Sequence, residues 1–338
     1  MSPHPPKGAT PPSAVPLKGF LGDGRKPVAI LGGAGILGAA MADVLTRCNV
    51  PCVALGRLDC DITSPADIEW LLHEVKPTCI VNCAAVTDLE ARSDDAETHV
   101  QVNGEAVGRL ASACRALSVP LVHFSCASVF DGGAAESCRR HGVGDSARPL
   151  SPCAQSKALG EQLLQRFAPP QWLLVRTSWL FGTLSRDFVG RLLTQSQSQP
   201  SLEPIHLTDG SHVGAPTFSA DLSRAVLLLM IAGATGVWHV SNGGAATWDT
   251  VARAVLRAWN RPPHLRLDPA PSSPSDSHCG EPESRTPPPQ TLAPPLPLRS
   301  SLLDCSSTYL RLGLRLRRWE QALLDYARAA NGPAEAPG

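Results

Sequence analysis

The chain has 338 residues, with 30 Lys and Arg balancing 30 Asp and Glu for a formal net charge of zero. That balance offers no electrostatic footprint for nucleic acid or an anionic membrane surface, and no run reaches the ~20 apolar residues that a bilayer span requires. Eleven cysteines without a C-x-x-C pair fit a reduced cytoplasmic protein with buried thiols, and none of them has zinc-ligand spacing with a histidine.

Residues 1–26 are rich in Pro, Gly and small residues and lack the apolar stretch of a secretory signal. They are expected as a disordered tail, although the scarcity of acidic residues also leaves a weak transit peptide open. Val-Ala-Ile-Leu at 28–31 reads as a buried strand, and glycines follow at 32, 35 and 38 before a helix that continues through 39–45. A strand, a glycine-rich turn and a helix make a pyrophosphate site. The first glycine permits the tight turn, the second admits backbone N–H groups to the anion, and the third lets the helix sit close to the strand. The helix N-terminus adds a partial positive charge. The spacing alone also suits a plain tight turn; its position at the head of a βαβ series favours the cofactor.

Strands at 51–55, 78–83, 121–125 and 172–176 then alternate with helices. One helix starts at Pro65 behind an N-cap Ser64, with Ile68, Leu71, Leu72 and Val75 on its buried face; others span about 95–117 and 154–167. Such alternation predicts an α/β fold, a Rossmann-type doubly wound parallel sheet with helices on both faces, over residues 27–178. Residues 179–330 read as a smaller C-terminal substrate-binding part interleaved with the sheet. Within it lie helices at 188–193 and 219–231, a strand at 236–240 and a helix capped by Thr247, with 219–243 returning to the sheet. Residues 262–298 are dominated by Pro, Ser and Thr, a composition that builds no packed core, and are expected as a mobile surface insertion. Order resumes at 300–304, an amphipathic helix at 317–330 closes the fold, and 331–338 form a tail.

Several ordered strings carry a resemblance. They are Ser-Cys-Ala-Ser-Val-Phe-Asp-Gly at 125–132, Cys-Ala-Gln-Ser-Lys-Ala-Leu-Gly-Glu at 153–161 and Arg-Thr-Ser-Trp-Leu-Phe-Gly at 176–182, followed by Gly-Ala-Pro-Thr at 214–217 and Gly-Val-Trp-His-Val-Ser-Asn-Gly at 236–243. Over about 27–330, the Pro-rich insertion excepted, the chain resembles the dTDP-4-dehydrorhamnose reductase (RmlD) family of extended short-chain dehydrogenases. That family includes the regulatory β subunit of methionine adenosyltransferase, which keeps the nucleotide fold and serves mainly as a binding partner. The resemblance therefore implies one fold with two roles.

In the family's reductases a tyrosine protonates the sugar's ketone oxygen as NAD(P)H delivers hydride. A lysine four residues on lowers the tyrosine pKa and holds the nicotinamide ribose, and a Ser or Thr at the end of the fourth strand hydrogen-bonds the same oxygen. The usual strings are S-T-D-Y-V-F-D-G and Y-x-x-x-K. Lys157 matches the lysine, but Cys153 stands at the tyrosine position and Cys126 at the threonine position, with Ser125 before it. Ala127 and Ser128 replace the following Asp and Tyr, and the chain's two tyrosines, Tyr309 and Tyr326, lie far away in sequence. A thiol with pKa about 8.5 is more acidic than a phenol at about 10, yet it ends several bonds short and donates weakly. Losing one oxyanion donor costs roughly 100- to 1000-fold in rate. The resemblance so read implies activity that is weak or lost.

The cofactor positions are better kept. Gly32, Gly35, Ile36, Leu37 and Gly38 match the phosphate turn. Arg57 follows the second strand where an acid would select NAD, so a 2′-phosphate and NADP are expected, with NAD as the alternative; a solvated loop charge is the plainer account of Arg57. Asp61 and Ile62 resemble the family's D-[IL]-T along the adenine, with a loop-to-helix turn as an equal reading for Asp61; Ala84 and Ala85 match the family's small residues, which also suit ordinary close packing, and Thr87 and Asn103 fall on family positions with structural hydrogen bonding as an equal reading for both. Arg176, Trp179 and Thr217 occupy family positions near the substrate cleft, and Asp187 stands where the family has Asn. Two functions follow: an NADP-dependent reductase of a 4-keto nucleotide sugar, or a non-catalytic NADP-binding subunit of a protein partner such as the methionine adenosyltransferase catalytic subunit. No metal is implied, and a homodimer is left open.

Overall fold

Short apolar runs bounded by turns become the strands, and capped amphipathic segments become the helices. The computed structural model describes residues 19–22, 24–87, 96–131, 139–182, 187–198, 205–208, 212–261, 265–268 and 300–331. In chain order the first half contains β1 (Val28–Leu31), α1 (Ile36–Arg47), β2 (Cys52–Leu55), α2 (Pro65–Trp70, running on as a π-turn over Leu71–Val75) and β3 (Cys79–Asn82). It continues with α3 (Ala96–His99), a π-helical stretch (Val100–Glu105), α4 (Ala106–Ala116), β4 (Leu121–Cys126), α5 (Pro152–Phe167) and β5 (Trp172–Thr177). Beyond these come β6 (Leu180–Phe181), α6 (Phe188–Ser198), β7 (Ile205–Thr208), β8 (Val213–Gly214), β9 (Thr217–Phe218) and α7 (Ser219–Ile231). The last elements are β10 (Gly236–His239), β11 (Ala246–Thr247), α8 (Trp248–Ala258), β12 (Leu265–Asp268), α9 (Ser306–Leu312) and α10 (Trp319–Asn331).

Helix starts follow side-chain chemistry. Ser64 accepts from the Asp67 N–H at 3.3 Å with Pro65 in the first turn, Ser151 accepts from Ala154 N–H at 3.2 Å ahead of α5, and Thr247 accepts from Thr250 N–H at 3.3 Å ahead of α8. Each satisfies a donor the helix cannot.

The main sheet has six strands in the order β10-β5-β4-β3-β1-β2, every neighbouring pair parallel. Alternate strand residues serve opposite faces. Val28, Ile30, Val81 and Val122 meet Met41, Val44 and Leu45 of α1 and Leu222, Val226 and Leu229 of α7. Ala29, Leu31, Ile80 and Leu121 meet Ile68, Leu71, Leu110 and Leu164 on the other side. A side chain of this size contributes about 1.5–3 kcal/mol when fully buried, so both faces are held firmly. A third apolar cluster joins α6, α8 and α10 through Phe188, Leu192, Val251, Val255, Trp319 and Leu323. The chain steps outward from β1 to β2 and then returns to the other side of β1 at β3, and that reversal opens a crevice at the carboxyl ends of β1 and β3.

Two sequence expectations are corrected. The tail was expected to reach residue 26, yet Phe20 is 0% exposed and packs in the cluster of Val28 and Met230, because its ring closes one end of that apolar layer; residues 1–18 lie outside the described residues. Within the Pro-rich stretch, Leu265–Asp268 forms a strand paired in parallel with Ile205–Thr208. A four-residue alternation, Leu-Arg-Leu-Asp, was hidden by the composition around it; residues 269–299 lie outside the described residues. No described helix is long and apolar enough to cross a membrane.

Candidate functional site

The crevice is a cavity of about 640 Å³ bounded by Gly35, Ile36 and Leu37 of the glycine turn, by Ala84, Ala85 and Thr87 after β3, and by Ser125 and Cys126 at the end of β4. Cys153 and Lys157 of α5 and Trp179 after β5 complete that wall.

The turn is built by the absence of side chains. Gly32 has φ +72°, and a Cβ there would lie 2.6 Å from the Ala84 nitrogen; a Cβ at Gly38 would lie 2.2 Å from the Gly32 carbonyl oxygen. These approaches bring β1's exit against β3's and seat α1 on the turn. Gly35 is the N-cap of α1 and offers no side-chain cap bond, so the twelve-residue helix starts open at the cavity wall. Unpartnered first-turn N–H groups and the helix dipole suit a pyrophosphate there. The residues present therefore fit a dinucleotide.

The loop after β3 is fixed from behind. Asn103 accepts from Val86 N–H at 3.0 Å, donates to Val86 O at 2.8 Å and reaches Ser156 Oγ at 3.1 Å, which makes it a structural clamp between that loop and α5. Asn82 Oδ1 accepts from Ala84 N–H at 3.1 Å, and its amide donates to His123 Nδ1 at 3.2 Å.

Lys157 is 5% exposed, and burial pulls its ammonium below the usual range, opposed by the neighbouring Cys126, Cys153, Cys83 and Glu161. Cys153 Sγ sits 3.8 Å from Val86 O, and Cys126 Sγ sits 2.8 Å from Ser128 Oγ. Ser125 Oγ, Thr177 Oγ1 and Ser178 Oγ are buried beside the cavity without a hydrogen-bond partner among the described residues. Neither tyrosine lines the cavity: Tyr309 is 52% exposed, and Tyr326 packs against Phe181, Phe218 and Trp259.

Arg57, Asp61, Ile62, Arg176 and Thr217 stand apart from the cavity wall. The Arg57 side chain is 81% exposed and pairs with Asp61 at 3.3 Å. Asp61 is held below the usual carboxylate range first by the Thr63 N–H and hydroxyl, at 2.9 and 2.7 Å, and Ile62 is buried at 3%. Arg176, expected near the substrate, instead clamps Glu161 through bonds of 2.9 and 2.6 Å and lies over the Phe130 ring. Thr217, also expected there, is 0% exposed and donates to Ala215 O at 3.0 Å. Asp187 lines the cavity and accepts from the N–H groups of Gly182 and Gly190, both at 2.7 Å. A carboxylate at the start of α6 is favoured by the helix dipole.

Sequence reading missed Arg191, His212, Trp248 and Ser301 on the same wall. Trp179 stacks on Trp248 with ring centroids 3.8 Å apart, and His212 lies edge-on to Trp179 at 5.2 Å while bonding Ser301 Oγ at 3.1 Å. Their separation along the chain left no local signal.

Burial depresses His123 to about 3 and His212 and His239 to about 4. A histidine kept neutral by the fold binds fewer protons than in the unfolded chain between its folded pKa and about 6.5, so stability is full above that range and falls as pH drops through it. Chemical denaturation at pH 7 and pH 5 is expected to show a loss on the order of 1–2 kcal/mol per buried histidine; equal stability at the two values would contradict it.

The chain matches the family described as RmlD substrate binding domain over residues 26–331. It is 30% identical over 315 residues to a dTDP-4-dehydrorhamnose reductase of Streptomyces griseus, covering 91% of this chain and 95% of that protein. It is 32% identical over 243 residues to a dTDP-4-keto-6-deoxy-D-glucose reductase of Streptomyces niveus, covering 72% and 82%. The structure of a dTDP-4-dehydrorhamnose reductase of Bacillus anthracis in complex with NADP shares the fold with a TM-score of 0.74 at 22% identity, over 89% of this chain and 98% of that one. With its matched span running almost from end to end of the described residues, the chain belongs to the RmlD family.

Proposed function

We propose that this chain binds NADP in the switch-point cleft and that its reduction of a 4-keto nucleotide sugar is weak or absent. The observation that carries the reading is the thiol of Cys153, which stands where the family's phenol would and lies 3.8 Å from Val86 O. The named relatives, dTDP-sugar reductases, and the NADP of the Bacillus anthracis structure support the ligand classes. NADPH, when bound, supplies hydride to a ketone carbon. The protein's part is to hold the pyrophosphate at the start of α1, to place the Lys157 ammonium beside the ribose, and to offer Ser125 Oγ to a ketone oxygen. Among the described residues that line the cleft there is no tyrosine to serve as that oxygen's proton donor. The reading places the protein in the cytoplasm, where NADPH is available and the cleft's thiols stay reduced.

The test mixes the purified chain with NADPH and a dTDP-4-keto-6-deoxy sugar and follows the absorbance of the reduced nicotinamide. NADPH is expected to bind, and turnover in the double variant Cys153→Tyr/Cys126→Thr to exceed that of the unchanged chain by roughly 100-fold or more. Rapid turnover by the unchanged chain would overturn the proposal. The same thiol at the acid position favours a second reading, a non-catalytic NADP-binding regulatory subunit. There the discriminating result is a change in the activity of a methionine adenosyltransferase catalytic subunit on adding this chain.

A further inference from the structure

Trp179 is held on the cavity wall in a strained backbone. Its φ of +36° lies in the left-handed region, where a bulky side chain is an outlier. Its carbonyl accepts from the Thr217 N–H at 2.9 Å, which ties the turn to β9. Strain of this kind persists where the surroundings over-determine it, and around Trp179 those surroundings cover its ring.

One face of the indole is taken by backbone. A Cβ on Gly214 would lie 2.2 Å from Cε2, 2.5 Å from Cζ2 and 2.6 Å from Cδ2 of Trp179. Cε2 and Cδ2 are the ring-fusion carbons, so a point that close to both lies over the plane of the ring, not beside it. Trp248 takes the opposite face. The two ring centroids are 3.8 Å apart with 6° between the planes, a separation that leaves no room for Gly214 on the same side. Trp248 is itself backed by Phe188 at 4.5 Å and placed as the first residue of α8 by the N-cap Thr247. Its Nε1 is buried without a hydrogen-bond partner among the described residues, so ring packing holds it against Trp179. Both indoles are half-buried and bound the cavity, yet neither stacking face of Trp179 is open to a ligand. The C–H face of a pyranose packs on an indole face, where apolar area is buried, and gains far less at the edge.

We propose, on the nucleotide-sugar reading of this cleft, that Trp248 is a specificity-determining residue. By filling the stacking face of Trp179 it denies that face to the sugar ring, so the nucleotide half of a nucleotide sugar supplies most of its affinity. Truncating Trp248 opens the face.

The test titrates the full chain calorimetrically with dTDP and with dTDP-glucose, as the parent, Trp248→Ala and Trp248→Leu. In the parent the two affinities are expected to agree within about threefold, and in Trp248→Ala dTDP-glucose is expected to bind at least about fivefold tighter than dTDP. Trp248→Leu keeps an apolar group against Phe188 but leaves no ring on Trp179, and it is expected to shift the same way. A parental preference for dTDP-glucose above about threefold overturns the proposal without any variant having to fold. So does the absence of a sugar gain in either variant whose circular dichroism matches the parent. If dTDP binds none of the three proteins, the nucleotide-sugar reading fails and the proposal falls with it; dTDP bound without the sugar gain defeats the proposal alone. A parallel NADPH titration keeps the cofactor reading separate.

Discussion

Replacing Gly32 with valine is expected to abolish dinucleotide binding and to lower folding stability by about 2–5 kcal/mol. The first part of that loss is backbone strain. Gly32 has φ +72°, and an L-residue in the left-handed region costs roughly 1–2 kcal/mol, with β-branched side chains the least tolerant. The second part is steric. A Cβ would lie 2.6 Å from Ala84 N, 2.7 Å from Ala84 Cα and 2.9 Å from the Cys83 carbonyl carbon. All three are backbone atoms at the exit of β3, so no flexible side chain can swing aside, and overpacking of this kind costs about 1–3 kcal/mol. Relief must come from parting β1 and β3, which opens the crevice that the phosphates need closed. Gly233→Ala is the control. It has φ +64° but nothing within 4 Å of the added carbon, so it is expected to lose about 1 kcal/mol of stability and keep full binding. Urea denaturation and NADPH fluorescence titration on both variants measure the contrast. Parental NADPH affinity in Gly32→Val would remove the glycine turn from the binding site.

The parallel sheet and the glycine turn were legible because their signals are local. Val28–Leu31 and Cys79–Asn82 are short apolar runs, Ser64 and Thr247 sit one residue before their helices, and the 32-35-38 spacing lies within a single turn. Sites assembled from distant segments were harder. His212, Trp248 and Ser301 come from separate segments and meet at the cavity wall, and nothing near any of them in sequence announces that. Phe20 was missed for a related reason: one aromatic in a Pro- and Gly-rich stretch carries no periodicity, although its burial is complete. Arg176 shows a subtler limit. Thr177 and Ser178 line the cavity where β5 ends, whereas Arg176 turns to Glu161. A motif match places the residue on the right strand end but leaves its face undetermined. Here the face it takes is the one where α5 presents Glu161.

That assignment of Arg176 has a large expected consequence. Arg176→Met is expected to destabilise the protein by about 3–5 kcal/mol, because it strands the Glu161 carboxylate where water cannot reach it. The two side chains are 6% and 3% exposed and joined by bonds of 2.9 and 2.6 Å. Glu161→Leu is expected to cost a similar amount, leaving a guanidinium whose other polar contacts, Val143 O and His239 Nε2, are both at 3.4 Å. The double variant Arg176→Met/Glu161→Leu removes both charges at once and should regain most of the loss, since a well-packed apolar pair can match a buried ion pair. The coupling energy in that cycle, read from urea denaturation of the four proteins, is therefore expected to approach the sum of the two single losses. Arg176→Met also leaves Glu161 free to act on Lys157, whose ammonium it already favours, so the lysine is expected to stay protonated to higher pH in the single variant. A ligand-contact role predicts a different pattern: nucleotide-sugar affinity would fall in Arg176→Met while stability stayed at the parental value, and the coupling with Glu161 would vanish.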